Sequence, residues 1–565
     1  QVLQGKEFTE KSDNNRLRIS LIRPERGVIY DKNMIQLVWN KPSFDLVLDK
    51  RDLSDTDESL KEVSEIINLS VAEIKEKIEA GKSPKVLISE NLDHESLVLL
   101  ETKMSGLSGF SLEKNTVRDY LHGPIFSQII GYLGKVSPDE LVSHPDYSPS
   151  DYIGKQGLEN YYESALKGVS GIIEVVKNAL GKEVSREKKS DPLPGKNLVL
   201  WIDSGLQEKL YEELEKTLVN TGSKKAAAVA LDPKTGGVLA MVSLPSFDNN
   251  IFSQMLSSEK YSILQNNPLN PFLNRAISGQ YPTGSTIKPF ISSAALQEQI
   301  IDPNKQIYDQ GFIEIQDKYD PNKIWKFMDW KPHGWIDMRE AIAVSANVYF
   351  YIIGGGYGDQ QGLGPTLIKK YLNLFGFGSI PGIDLPGAKA GLIPDPQWKK
   401  EFRGESWLDS DTYHMSIGQG DVLGTPLQLA SATAAIANGG TLFKPEILKM
   451  IIDDNKQIME EIMPEILNQD FIDPSNINIV KEGMREGVTY GSSVMLNSLS
   501  VEASAKTGTA QTSKENYYHN WVTVFAPYDE PEIVLTVIIE SVQGEQIAAL
   551  PVASGVLSWY FSSPH

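Results

Sequence analysis

Strand-forming residues stand at the two ends of a long, largely helical stretch, and this arrangement limits the folds open to the later part of the chain. Residues 226–242 read as two strands around an Asp-Pro-Lys-Thr-Gly turn, and residues 521–525 and 532–539 are again runs of β-branched and aromatic residues. A further strand is expected at 198–202, a helix at 206–218, and a closing helix at the end of the chain. Such an order predicts one sheet built from distant segments and covered by helices.

The earlier part has a different texture. Residues 16–22, 26–32, 44–48 and 84–88 read as strands. Between 52 and 82 the spacing turns helical, with Leu60, Val63, Ile66 and Ile67 on one stripe. Ser70 is placed to cap a second helix that runs through Glu79 and stops at Gly81. The charges among these residues (Lys61, Glu62, Lys75, Glu76, Lys77) read as a solvated face. A helix is expected near 157–166. The polar stretch 181–195, with charges and two prolines, reads as the main domain boundary.

Composition removes several chemistries. The chain has 74 acidic and 54 basic residues, a net charge of −20, which argues against nucleic-acid binding. It has no cysteine, so disulfides, thiolate metal sites and cysteine nucleophiles are excluded. Its seven histidines are scattered without zinc-hydrolase spacing. No run of 18 apolar residues is present, so no transmembrane helix is expected within the sequence. The start at Gln1, without a signal-peptide pattern, suggests that a segment has been removed from the front.

The chemistry concentrates in three short segments. In Tyr281-Pro-Thr-Gly-Ser-Thr-Ile-Lys288, Ser285 and Lys288 fall on one face of a helix start, with Cβ atoms about 5–6 Å apart. Burial and the helix dipole both favour a neutral lysine there, able to take the serine proton. Alone this is weak evidence, since roughly two or three Ser-x-x-Lys strings are expected by chance. Others occur at Ser111/Lys114, Ser185/Lys188 and Ser257/Lys260. Ser345 and Asn347, however, interrupt an apolar run where polar groups need partners or point into a site. Lys506-Thr507-Gly508-Thr509 on a strand offers a cation, hydroxyl donors and a close backbone approach.

Ser-x-x-Lys, Ser-x-Asn and Lys-Thr-Gly in this order form the motif set of serine penicillin-binding proteins and β-lactamases. The resemblance covers essentially the whole chain. Arg26-Gly-Val-Ile-Tyr-Asp31 and the Gly-x-x-Gly-Leu-Glu segment at 154–159 resemble front-region landmarks of class B penicillin-binding proteins. Asp232-Pro-Lys-Thr-Gly, Pro245-Ser-Phe-Asp, Asn274-Arg-Ala, Gly418-Gln-Gly and Thr425-Pro-Leu-Gln-Leu resemble landmarks of their transpeptidase domain. Within the class, Ile130-Gly-Tyr-Leu-Gly134, Gly382-Ile-Asp-Leu-Pro386 and Gly391-Leu-Ile-Pro394 followed by Trp398 are most similar to the elongation type, penicillin-binding protein 2. The division type is the alternative.

The resemblance implies an α+β multidomain chain. An elongated pedestal is expected at 1–195, with a head subdomain inserted at about 50–115. A transpeptidase domain of the penicillin-binding and serine β-lactamase type, an antiparallel sheet covered by helices, is expected at 196–565. The implied function is peptidoglycan D,D-transpeptidation in cell-wall synthesis, inhibited by β-lactams. Ser285 would be the nucleophile, Lys288 its base, Ser345 a proton relay, Asn347 a holder of substrate and Lys288, and Lys506 an electrostatic support. Thr507, Gly508 and Thr509 would bind substrate, and the backbone N–H groups of Ser285 and Thr509 would form the oxyanion hole. No cofactor is implied. Some elongation-type relatives hold a metal through a Cys at the middle of the second motif. That position is Ala346 here, and Asp329 with His333 alone make a poor site, so no metal is expected. The implied partners are peptidoglycan stem peptides, β-lactams, a SEDS-type glycan polymerase and elongation-complex proteins. The implied location is the cytoplasmic membrane, through an N-terminal anchor preceding Gln1, with the catalytic domain outside the cytoplasm.

Two other readings stay open at this point. A β-lactamase or D,D-carboxypeptidase would not need the long front region, and no motif residue is a carboxylate that could activate a deacylating water. Alternatively, the front region acts without catalysis, as an activator of the polymerase.

Overall fold

In the computed structural model, which describes residues 17–562 apart from 54–55, 82–83, 145–146, 148–150, 178–182, 254–257, 318–319, 321 and 545, the distant strands meet. They form a five-stranded antiparallel sheet in the order Val238–Leu244, Ala226–Leu231, Ile533–Gln543, Tyr517–Ala526, Ser504–Gln511. Strand alternation divides its side chains between two cores. Ala226, Ala228 and Ala230 join Val522, Val524, Leu535 and Val537 on one face, under Leu206, Leu210, Val552 and Val556 of the helices Ser204–Thr221 and Ala549–Ser562. Ala227, Val229 and Leu231 join Trp521, Phe525 and Ile538 on the other, against Leu429 and Ile436 of Pro426–Ala437. The sheet is therefore covered on both sides, which explains why its central strands are continuously apolar.

The helices start where local chemistry provides an acceptor. Asp203 accepts from the Leu206 N–H at 3.0 Å and opens Ser204–Thr221, which ends at Gly222 in the left-handed region. Ser70 and Glu73 form a capping box on Val71–Ala80.

A second sheet lies in the front region and continues into the later part. Its order is Ile458–Glu461, Leu448–Ile452, Asn197–Leu200, Ile29–Tyr30, Gln36–Asp49, Lys85–Ser89, with Phe110–Tyr120 also paired to Gln36–Asp49. Asn197–Leu200 runs parallel to Ile29–Tyr30 and antiparallel to Leu448–Ile452, so this sheet crosses position 195 without a break. Around Leu46, Leu48, Leu60, Val63, Ile74, Ile88, Leu100 and Phe110 a separate small core forms.

Three local expectations need correction. The stretch 181–195 is not simply a linker, because Glu183–Ser190 is a strand paired with Gly171–Lys177, itself paired with Leu17–Ile22. Residues 185–190 are exposed, so the pairing is carried by the backbone and leaves no apolar alternation to read. Within 26–32 only Ile29–Tyr30 is strand. The helix near 157–166 is two short ones, Gly157–Tyr161 and Glu163–Leu166.

Buried ion pairs hold the front region together, and hydrogen bonds to buried carboxylates fasten it to the later part of the chain. Arg26 donates to Glu159 at 2.7 Å and to Glu163 at 2.8 Å, and Arg118 donates to Glu159 at 2.8 Å. Asp31 accepts from the Ser204 hydroxyl at 2.7 Å. Tyr162 donates to Asp384 at 2.9 Å, and Asp384 also accepts from the Ile447 and Leu448 N–H groups. Among the described residues, no helix is long and apolar enough to cross a membrane. Residues 1–16, which would adjoin an anchor, lie outside the described residues.

Candidate active site

The site is built from three short segments that the sheet brings together. Gly284 takes φ +53°, and its N–H donates to the Gly418 carbonyl at 2.9 Å. The chain then makes the 3-10 turn Gly284–Ile287 and enters the helix Lys288–Gln297, with Pro289 in the first turn where a missing N–H does no harm. Ser285 lies half-buried on that turn, facing a cavity of about 1290 Å³, while Lys288 is fully buried behind it.

The Lys288 amine donates to the Ser345 carbonyl and to Asn347 Oδ1, each at 2.8 Å, and lies 3.4 Å from Ser345 Oγ. Burial lowers its pKa to about 7, against the opposing pull of Asp329 and Asp309. Ser345 ends the helix Met338–Val344 in a left-handed conformation, φ 61°, that is uncommon for serine. This turn lets Ser345 and Asn347 both reach Lys288. Lys506, also fully buried, donates to Ser345 Oγ at 2.8 Å and to the Thr507 carbonyl at 2.9 Å. Burial and the neighbouring Lys288 push Lys506 well below the ordinary lysine range. With two amines directed at it, the Ser345 hydroxyl keeps its own proton for donation elsewhere.

The edge strand Ser504–Gln511 forms the opposite wall. A Cβ on Gly508 would meet Thr286 Cγ2 at 2.8 Å and the Thr283 carbonyl at 3.0 Å, so only glycine lets this strand press on the serine turn. Thr507 donates to Ser492 Oγ at 2.9 Å, and Thr509 is exposed beside it. Ser285, Ser345, Asn347, Thr507, Gly508 and Thr509 all line the one cavity. Trp521 anchors the turn by donating from Nε1 to the Pro282 carbonyl at 3.1 Å.

All eight residues singled out from the motifs thus converge. Two of the other Ser-x-x-Lys strings do not: Ser111/Lys114 and Ser185/Lys188 sit on strands, where positions three apart face opposite ways. Ser257 lies outside the described residues. Ser492 and Gln419, which donates to the Thr509 carbonyl at 3.4 Å, also line the cavity and were not anticipated. Gln419 belongs to the Gly-Gln-Gly segment and could have been found there, whereas Ser492 carries no sequence signal.

A third unanticipated residue, Asp309, joins Asp329 and His333. One ligand atom from each lies within 4.8 Å of the others. Asp309 Oδ2 and His333 Nε2 are buried without a hydrogen-bond partner. Burial, with the nearby Asp329 carboxylate, raises Asp309 to about 7. The expectation of no metal counted two donors, and the fold supplies three. These residues fit a cation with three protein ligands and one open position. A closed four-ligand site is not available, because Ala346 offers no donor. A bound ion would supply positive charge beside the second motif.

Residues 226–558 match the family of the penicillin binding protein transpeptidase domain, and residues 21–200 match the penicillin-binding protein dimerisation domain. The chain belongs to the penicillin-binding protein transpeptidases. A peptidoglycan D,D-transpeptidase, MrdA, of Acinetobacter baumannii is 33% identical over 563 residues, covering 96% of this chain and 81% of that relative. The structure of Helicobacter pylori PBP2 in complex with MreC superposes with a TM-score of 0.82 at 27% identity, covering 97% of this chain and 99% of that one. A peptidoglycan synthase complex, described for its coordination of polymerization and crosslinking, gives 0.76 at 27% identity over 100% and 95% of the two chains.

Proposed function

We propose that this chain crosslinks peptidoglycan through an acyl-enzyme on Ser285. The chain is a serine-type D-Ala-D-Ala transpeptidase of the elongation type, as its family and its MrdA relatives indicate. The observation that carries the residue assignment is the pair of buried amines, Lys288 and Lys506, converging on the Ser345 hydroxyl behind Ser285.

The steps follow from that geometry. Neutral Lys288 takes the Ser285 proton as Oγ attacks the carbonyl carbon between the two D-Ala residues of a stem peptide. The oxyanion is held by the N–H groups of Ser285 and Thr509, each donor contributing about 3–4 kcal/mol in comparable sites. The C–N bond breaks and the departing D-Ala amine receives a proton from Ser345, which is replenished from Lys288. The amine of a neighbouring stem peptide then attacks the ester carbonyl and gives its proton back to the lysine. The C–O bond breaks, the lysine returns that proton to the departing Ser285 Oγ, and the free serine is restored with a crosslink formed. In this reading Thr507 and Thr509 hold the terminal carboxylate, and Lys506 supports Ser345 through its hydrogen bond to the hydroxyl. A β-lactam acylates Ser285 in the same way, but its leaving amine stays tethered and the adduct persists.

The partners are proteins of the wall-elongation machinery. The reading extends to a SEDS-type glycan polymerase activated by the front region, and to an N-terminal anchor in the cytoplasmic membrane with the catalytic domain outside. The PBP2–MreC and synthase-complex structures support the reading of protein partners by similarity.

Glycan strands bearing pentapeptide donors and amine acceptors test the reaction. Crosslinked dimers should appear with one D-Ala released per crosslink, and Ser285→Ala should form none. Release of D-Ala without crosslinks would reassign the chain as a carboxypeptidase. Full-length chain that neither co-purifies with the polymerase nor stimulates it would remove the partner reading.

A further inference from the structure

Asn347 opens the helix Asn347–Gly355, and a helix start leaves backbone N–H groups that need acceptors. The N-cap position is Ala346, whose methyl group can accept nothing. The acceptor comes instead from Asp329, just beyond the strand Ile324–Met328. Its Oδ2 accepts from the N–H of Asn347 and, at 2.8 Å, from the N–H of Val348. Its Oδ1 accepts from the Trp330 N–H at 2.7 Å, and its own N–H donates to the Gly311 carbonyl at 2.8 Å. The Asp329 side chain has no exposed surface, so it has no freedom to release the helix into water.

We infer that Asp329 is a positioning residue for the second motif, a cap supplied from outside the helix that fixes where Asn347 and Ser345 meet Lys288. This rests on the assignment of Ser285, Lys288 and Asn347 above. Asp329 touches neither substrate nor reacting atoms. It acts because Asn347 Oδ1 and the Ser345 carbonyl each hold the Lys288 amine at 2.8 Å, and the backbone between them begins at the N–H groups that Asp329 holds. The negative charge at a helix N-terminus adds to the hold. Loss of the cap would loosen the contact between Lys288 and its two acceptors, and misplacement of about 1 Å in such a site slows chemistry by about a hundredfold.

The test compares Asp329→Ala with Asp329→Asn, reading the acylation rate with a fluorescent penicillin and the melting temperature. The asparagine amide oxygen can accept the same two N–H bonds, giving up only the acceptor for the Trp330 N–H, whereas alanine accepts none of the three. Asp329→Ala should acylate about tenfold to a hundredfold more slowly than wild type at temperatures where it remains folded. The loss should fall on the rate at saturating penicillin rather than on apparent binding, and Asp329→Asn should recover most of it. A wild-type rate for Asp329→Ala would overturn the inference. So would equal loss in the two variants, which would assign the effect to charge. A chelator that reproduces the alanine defect in wild type, reversed by added zinc, would assign positioning to a cation instead. A wild-type protein that takes no label at all would overturn the underlying site assignment, not the cap.

Discussion

Lys506 and Ser345, 161 residues apart in sequence, meet in a 2.8 Å hydrogen bond that the amine donates to the hydroxyl. The edge strand and the second motif are thereby joined at the atom that relays the leaving-group proton in the proposed reaction. Ser345→Ala removes that hydroxyl but leaves the backbone carbonyl that anchors Lys288. Crosslinking turnover should fall about 10²–10⁴-fold, the range for loss of a positioned proton donor, with little change in melting temperature. Dimer formation and calorimetry on the same preparation check this.

Acylation should carry an ascending pH limb near neutrality. Burial lowers Lys288 from 10.5 to about 7, and the proposed reaction needs its unprotonated form. The penicillin acylation rate should rise about tenfold per pH unit below that value and level off above it. The stability consequence has a definite sign. Between pH 7 and 10.5 the unfolded chain binds a proton at Lys288 that the folded chain does not, so stability rises with pH across that window. Lys288→Met should flatten this slope in denaturant titrations and abolish acylation.

Gly508→Ala should damage the site through a contact, not through chemistry. The new methyl would sit 2.8 Å from Thr286 Cγ2 and 3.0 Å from the Thr283 carbonyl. The edge strand must then move off the serine turn, at a cost of about 1–3 kcal/mol. Acylation should slow while the ascending pH limb stays in place, which a pH profile of the variant checks.

Much of this arrangement is legible in the sequence, for identifiable reasons. The five sheet strands, apart from the motif strand, are long runs of apolar residues because both sheet faces are covered, and such runs announce themselves. The convergence of Ser285, Lys288, Ser345, Asn347 and Lys506 is legible because three motifs, each weak alone, stand in the order of the penicillin-binding protein set. Glu183–Ser190 is not, because an exposed strand paired only through its backbone needs no apolar pattern. Asp309 and Ser492 are not, since each gains its place only from a tertiary contact. The continuity of the front sheet through Asn197–Leu200 rests on a parallel pairing with Ile29–Tyr30, too short to leave a periodic signal.

The front region should depend on one buried carboxylate. Glu159 is pressed upward in pKa by burial, but Arg118 and Arg26 outweigh this and hold it below the usual carboxylate range. Its stabilisation is present above the ordinary glutamate pKa and lost as pH falls through the lowered value. Glu159→Ala leaves Arg118 without its carboxylate and should cost about 3–5 kcal/mol. Urea unfolding at neutral pH checks the magnitude, and acylation per folded molecule should be unchanged.

In the proposed reaction Ser285 carries the acyl group. Mass spectrometry of the protein after incubation with penicillin tests it most directly. One stable adduct of the intact antibiotic's mass should appear on the peptide containing Ser285, and Ser285→Ala should carry none. An adduct on another residue, or rapid turnover of penicillin with no adduct retained, would contradict it.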